Sequence, residues 1–280
     1  MGPVTSCRGN AERSPASAFS AFDKMPVFSP VLGRLVASLG DESVSYSHLA
    51  ALIEKDTILT GHLLRLVNSA IYSRGREVNS VPRAISIVGI SRLRNFAVSL
   101  LVARMWTRVR LPETFSLARF NLHSAAAAIA ADLLAQKTPV EYGEGAFTAG
   151  LLHDVGKVLV AVASPEDYDL LDRAGAWQAG LEAELLGATH AELSGAVLEH
   201  WRLPPQICQA AALHHSPPPG TPVLAHLVKT ADDFANAMGA AETRQPGDPR
   251  QALSGVLPES EIEPFMDRFQ AEFDTLRQFF

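Results

Sequence analysis

Apolar residues recur at intervals of three and four along nearly the whole chain, the period of one face of an α-helix. Val31, Leu35 and Leu39 repeat every four residues. Ser45 stands where an N-cap would open the next helix, whose apolar face carries Leu49, Leu52 and Ile53. A third run covers 58–71 through Leu59, Leu63, Leu64, Leu66 and Val67. Pro82 suits the first turn of a short helix holding Ala84, Ile85, Ile87 and Val88. Gly89 interrupts that pattern, and Ser91 is placed to cap an apolar helix reaching Met105.

The segment 116–136 predicts a long helix dense in alanine, and the alanines at 125–128 let a neighbouring backbone approach closely. Further helices are expected near 145–163, 166–173, 177–186, 190–200, 204–214 and 222–238. Proline and glycine make 245–249 a loop, and Ser260 with Glu263 forms a capping-box pattern for a closing helix. No strand-like alternation of any length occurs. The fold class is all-α.

Hydrophobic residues at 47% and charged residues at 19% describe a globular chain rather than a disordered one. Thirty acidic side chains against 24 basic ones leave a charge of −6, which argues against a nucleic-acid-binding surface. On such a chain Arg92 and Arg94 read as a solvated face. Cys7 lies in a polar stretch and Cys208 in an apolar one, so neither a disulfide framework nor a zinc–thiolate site is suggested, and a reducing cytoplasm fits. The apolar runs are broken by Arg94, by His123 and Asp132, or by His153-Asp154, so none reaches the roughly 18 residues of a membrane span. The N-terminus lacks the order of a secretory signal, and Pro3 spoils the short acylation pattern that Gly2 begins. Residues 1–21 read as a flexible tail rich in Ser, Ala and Pro.

The densest chemistry lies in Gly150-Leu151-Leu152-His153-Asp154-Val155-Gly156-Lys157. A carboxylate in so apolar a setting is costly unless paired. Neighbours on a helix point about 100° apart, so His153 and Asp154 reach one point only near a helix end. A metal ion between them would satisfy both. Lys157 follows His153 at i+4 and puts a cation on the same face. The other reading makes His153 a core residue and gives Asp154 a structural hydrogen bond.

More potential ligands stand at His123, His190, His214, His215 and Asp232, on separate predicted helices or helix ends apart from the adjacent His214-His215. Singly, His123 reads as a core histidine, His190 as a helix cap or an exposed side chain, His215 as a solvent-facing side chain and Asp232 as half of a solvated pair with Asp233. Nearly all fall within 116–235, whereas 22–110 holds no ligand cluster. Asn68, at the end of an amphipathic run, reads as a local lock that hydrogen-bonds to backbone.

The order His, His-Asp, His, His-His, Asp resembles the HD superfamily of metal-dependent phosphohydrolases. The resemblance implies that His123, His153, Asp154 and Asp232 hold a metal ion, and that Lys157 assists at a phosphate. It also implies that His190, His214 and His215 hold additional metal, as in the HD-GYP branch. Asp56-Thr57-Ile58-Leu59-Thr60, the run from Leu63 to Ala70, Val81-Pro82-Arg83-Ala84-Ile85, Glu184-Leu185-Leu186-Gly187 and Trp201-Arg202-Leu203-Pro204-Pro205 narrow the match. Over 22–235 the chain resembles an HDOD domain, the HD-related output domain of bacterial signalling proteins. This implies an N-terminal helical bundle (22–110) packed on an HD-like one (116–235), followed by a C-terminal loop and helix (236–280).

After His214-His215 the HD-GYP branch has an acidic residue and a Gly-Tyr-Pro segment, where this chain has Ser216 and prolines, so cyclic-di-GMP hydrolysis is not expected. The expectation is a stand-alone cytoplasmic regulatory module that acts on signalling proteins, without membrane or nucleic-acid partners. Its HD-like site would take a divalent metal (Fe, Mn, Zn or Ni). The alternative is a metal-dependent phosphohydrolase taking a small phosphate ligand.

Overall fold

A computed structural model of the chain describes residues 21–38, 46–69, 77–174, 177–219, 223–240 and 247–280, and among them every regular element is helical. The expectations at Leu39, Ser45, Ile71, Gln245, Pro246 and most of the N-terminal tail lie outside the described residues.

Five helices form the N-terminal bundle: α1 (Pro30–Ala37), α2 (Tyr46–Glu54), α3 (Thr57–Val67), α4 (Val81–Val88) and α5 (Ile90–Trp106). The Ser29 hydroxyl accepts from the Leu32 N–H at the head of α1, and Asp56 accepts from the N–H groups of Ile58 and Leu59 at the head of α3. Helix α3 stops at Asn68, short of the expected end. The Asn68 amide donates to the Leu64 and Val78 carbonyls (2.8 and 2.7 Å) and accepts from the Val78 N–H (2.8 Å). That is the local lock. Leu35, Leu49, Ile53, Leu63, Ile85 and Leu93 fill the bundle core.

Between α4 and α5 the chain turns by 117° at Gly89, whose φ of 90° favours a residue without Cβ. Gly89 is itself the boundary residue of both helices, so the expected cap at Ser91 is not made and Ser91 falls inside the first turn of α5.

The second bundle is built around α6 (Leu117–Ala135), capped by Ser116 and buried along nearly its whole length. The stretch expected as one helix over 145–163 is two, α7 (Ala146–Leu152) and α8 (Val155–Ala163). They part at His153-Asp154, where Asp154 takes φ −100° and ψ 9°. Then come α9 (Pro165–Ala174), α10 (Ala179–Leu186), α11 (His190–His200), α12 (Pro205–Leu213) and α13 (Val223–Ala237). The two bundles meet where α5 packs on α6 and α7, with Trp106 edge-on to Phe120 and the Asn95 amide donating to Asp132 at 3.3 Å.

The closing segment differs from expectation in two places. Asp248 caps a short helix α14 (Pro249–Leu253), because Pro249 suits a first turn as well as a loop. The capping box at Ser260 and Glu263 does not form: α15 (Glu259–Leu276) begins directly after Pro258, and Glu263 pairs with Arg250 at 2.5 Å. Phe265 and Phe269 of α15 pack edge-on against Phe234 of α13 and cover the end of the second bundle.

Among the described residues one helical stretch, Gly143–Ala163, has the length and apolarity of a membrane span. Of its apolar window 83% is buried by the rest of the chain, the position of a core element.

Candidate metal centre

Close backbone approaches set the positions of the site residues. A Cβ on Gly150 would lie 2.7 Å from the Ala127 carbonyl oxygen and 2.9 Å from the Ala128 Cα, so only glycine against alanine lets α7 and α6 come this near. Ala127 follows His123 by one turn and Gly150 precedes His153 by nearly one, and the two imidazoles therefore face each other, Nε2 to Nε2 at 3.3 Å. A Cβ on Gly156 would lie 2.1 Å from the His190 carbonyl oxygen, which seats the head of α11 against α8. The Gly156 N–H donates to Ser194 Oγ, and that hydroxyl donates to the His190 carbonyl, both at 2.8 Å. The break between α7 and α8 turns His153 and Asp154 toward one point, as their adjacency requires.

Two sets of donor atoms result, and they share Asp154. In the first, His123 Nε2 lies 3.4 Å from Asp154 Oδ2 and 3.1 Å from Asp232 Oδ1, and His153 Nε2 lies 3.4 and 3.5 Å from the same two oxygens. In the second, Asp154 Oδ1 is 3.2 Å from His190 Nε2 and 3.7 Å from His214 Nε2, while His190 Nε2 and His215 Nε2 are 2.7 Å apart. A divalent ion about 2.1 Å from each donor holds its donors about 3.0–3.4 Å apart, and the observed spacings bracket that range. Among the described residues every group with metal-ligand spacing falls here, and none falls in the N-terminal bundle.

Three of the outward ring nitrogens are held, while His123 Nδ1 is buried without a hydrogen-bond partner. His153 Nδ1 donates to the Gly150 carbonyl and His214 Nδ1 to the Ala211 carbonyl, and His190 Nδ1 meets Glu182 Oε2, each at 2.7 Å. A ring that donates through Nδ1 presents an Nε2 lone pair inward. All of these residues are buried except His215, which keeps an exposed side. Asp154 Oδ1 and His214 Nε2 are buried with no hydrogen-bond partner, as expected of atoms whose partner is an ion.

Charge points the same way. Burial acts to raise the carboxyl of Asp154, but His153, Lys157 and the adjacent His123 and His190 imidazoles hold it well below the usual carboxylate range. Burial acts likewise on Asp232, and hydrogen bonds from His123 and His153 keep it ionised. Burial disfavours charge on His123, yet the two carboxylates draw a proton onto it and push its pKa up to about 9. Burial, reinforced by neighbouring imidazoles, keeps His214 neutral and pushes His215 down to about 4. Two buried carboxylates that demand a cation, beside neutral His214 and His215, fit a divalent first-row ion, which would take the place of the proton that His123 otherwise supplies.

Lys157 Nζ donates to Asp154 Oδ2 at 2.6 Å and sits over the Trp177 ring at 5.6 Å. The i+4 spacing puts Lys157 beside His153, whereas its direct partner is Asp154. The six other potential ligands named from sequence are thus gathered around Asp154. Glu182 was missed, although it lies at i−4 from Leu186 on the buried face of α10, and a carboxylate in an apolar stripe is itself a signal. Trp177, which closes the site over Lys157, gave no signal.

The family model that describes the HDOD domain matches residues 25–217. The chain belongs to the HDOD family. Three solved structures share the fold. An HDOD domain protein of unknown function from Geobacter sulfurreducens has a TM-score of 0.76 at 23% identity, covering 95% of this chain and 99% of that one. A candidate phosphohydrolase from Shewanella amazonensis SB2B has a TM-score of 0.75 at 21% identity, covering 94% and 98%. A candidate signal transduction protein from Marinobacter aquaeolei VT8 has a TM-score of 0.72 at 19% identity, covering 95% and 66%. An uncharacterized protein of Treponema pallidum (strain Nichols) is 26% identical over 236 residues, which are 79% of this chain and 43% of that protein. This HDOD chain therefore spans less than half of that relative.

Proposed function

We infer that this HDOD chain is a regulatory module that acts through protein partners, and that its HD-like centre would hold up to two divalent ions, with Asp154 placed between the two donor sets. The observation that carries the reading is a complete, nearly closed donor set reached by an acidic passage. His123, His153, Asp154 and Asp232 are at most 4% exposed, so the first site has the enclosure of a structural metal site.

The cavity beside the second site, about 430 Å³, reaches His215 past Trp177, Glu182 and Glu192, and no Lys or Arg lines it. A phosphate dianion entering there meets carboxylates first. Lys157, the nearby cation, is committed to Asp154. Signalling fits the role assigned to the Marinobacter relative. The buried free thiol of Cys208 suits the reducing cytoplasm in which we place the module.

The second reading, a metal-dependent phosphohydrolase, is favoured by one observation: His215 joins the centre to a cavity large enough for a small phosphate ligand. A bound divalent ion would there supply Lewis acidity and an activated water. The chain's own contributions would be His215 at the cavity wall and Lys157, released from Asp154, against phosphate charge.

The test is metal analysis of purified protein alongside hydrolysis of p-nitrophenyl phosphate and bis(p-nitrophenyl) phosphate. Bound metal without turnover is the expected result. Metal-dependent turnover abolished by Asp154→Ala would overturn the regulatory reading.

A further inference from the structure

The C-terminal half of α5 separates two hollows that the metal centre does not use. One, of about 330 Å³, lies between the start of α1 and the last turns of α5, with Val27, Leu101 and Met105 in its wall. The other, of about 300 Å³, lies across α5 beside Ile58 and His62. The two share Leu101 and Arg104, so they adjoin. Val27 is 88% exposed and Ile58 57% exposed, and both rank among the few large apolar side chains that the described residues leave in solvent.

The rim is cationic. Lys24, Arg104 and Arg108 line the first hollow and no carboxylate does. Arg104 is paired with Asp56 at 2.8 Å, whereas among the described residues Lys24 and Arg108 have no carboxylate within ion-pair distance. On a chain of net charge −6, a concave site with two uncompensated cations is a local reversal of sign.

We propose that this groove docks an acidic, amphipathic peptide segment of a partner protein. Two apolar side chains of the segment would enter the hollows on either side of Arg104, and its carboxylates would meet Lys24 and Arg108. Charge complementarity selects this occupant. Residues 1–20 of the chain carry Arg8 and Arg13 against Glu12, so its own N-terminal segment has the wrong sign. Phe279 and Phe280 line the second hollow, but the two cations unpaired among the described residues lie on the first, and two are few for a nucleic acid. The proposal extends the regulatory reading by giving it a surface, separate from the metal centre.

The probe is a fluorescein-labelled peptide of about a dozen residues alternating Glu or Asp with Leu or Phe, followed by fluorescence anisotropy on the full chain. Binding should saturate, weaken as salt is raised, and weaken about tenfold or more in Lys24→Glu/Arg108→Glu. Arg83→Glu, an exposed cation on α4, should bind as wild type does. Circular dichroism and metal content, measured on the same samples, should match among all three proteins.

Absence of binding with metal content intact overturns the groove and leaves the metal centre standing. Equal binding by the double variant overturns it, as does equal binding of a peptide whose apolar residues are replaced by Ser. Tighter binding of a single-stranded oligonucleotide, or a homodimer in light scattering that Val27→Asp dissociates, assigns the groove to another occupant and also overturns it.

Discussion

Replacing Gly156 by Ala adds one methyl group at the point where α8 meets the head of α11. The new Cβ would lie 2.1 Å from the His190 carbonyl oxygen, 2.8 Å from the Ser194 nitrogen and 2.9 Å from Ser194 Oγ. Two of these three neighbours are backbone atoms, which no rotamer change can move. Carbon and oxygen rest about 3.3 Å apart, so the helices must separate by about 1 Å. Overpacking of this kind costs about 1–3 kcal/mol, and a backbone collision belongs at the upper end. For a chain of this size about 3 kcal/mol lowers Tm by about 6–12 °C.

Separation also carries His190 away from Asp154, two residues before Gly156, and opens the 3.2 Å spacing between their donor atoms. Thermal unfolding followed by circular dichroism, with metal content on the same samples, measures both effects. The variant should melt earlier and lose metal from the second site before the first. A G156A protein with the melting temperature and metal content of wild type would refute the idea that this contact positions His190.

Gly61 offers the opposite case: it lies inside α3 and an added Cβ meets nothing within 4 Å, so Gly61→Ala should stabilise the chain by about 0.5–1 kcal/mol in urea unfolding. Asn68→Ala leaves the Val78 N–H and carbonyl without their side-chain partner and should cost about 2 kcal/mol in the same assay. Asp56→Ala removes the cap of α3 and should cost about 1 kcal/mol at neutral pH. Partial burial acts to raise the Asp56 carboxyl, but Arg104 and the N–H groups of Leu59 and Ile58 hold it below its ordinary value of 3.8. Its contribution is therefore full above that value and is lost as pH falls through the lower folded-state value. The stability gap between wild type and D56A should shrink in acid and stay constant above about pH 5.

Helix periodicity made most of the architecture legible, because α3 and α4 each bury one regular stripe, while α6 is apolar all round and is legible by its alanine density. What escaped were boundaries decided by a single backbone conformation. Gly89 reads in sequence as an interruption, yet its positive φ makes it the shared cap of two helices, and Ser91 has no cap left to supply. Pro249 was read as a loop residue because proline serves loops and first turns alike. In the site, each histidine had an ordinary structural reading, and only their order along the chain suggested a common purpose. Their convergence depends on Gly150 against Ala127 and on Gly156 against His190, contacts between distant residues that no local pattern encodes. Glu182 differs, since its place in the apolar stripe of α10 is a local signal, and only its partner at His190 is not.

The central claim is that Asp154 joins two coordination sets, through Oδ2 with His123, His153 and Asp232, and through Oδ1 with His190, His214 and His215. Inductively coupled plasma mass spectrometry of protein purified without chelator, after loading with Fe, Mn, Zn or Ni, tests it most directly. The account predicts about two ions per chain in wild type, about one in Asp232→Ala, and none retained in Asp154→Ala. Wild-type metal content in Asp154→Ala, with the fold intact by circular dichroism, would contradict it.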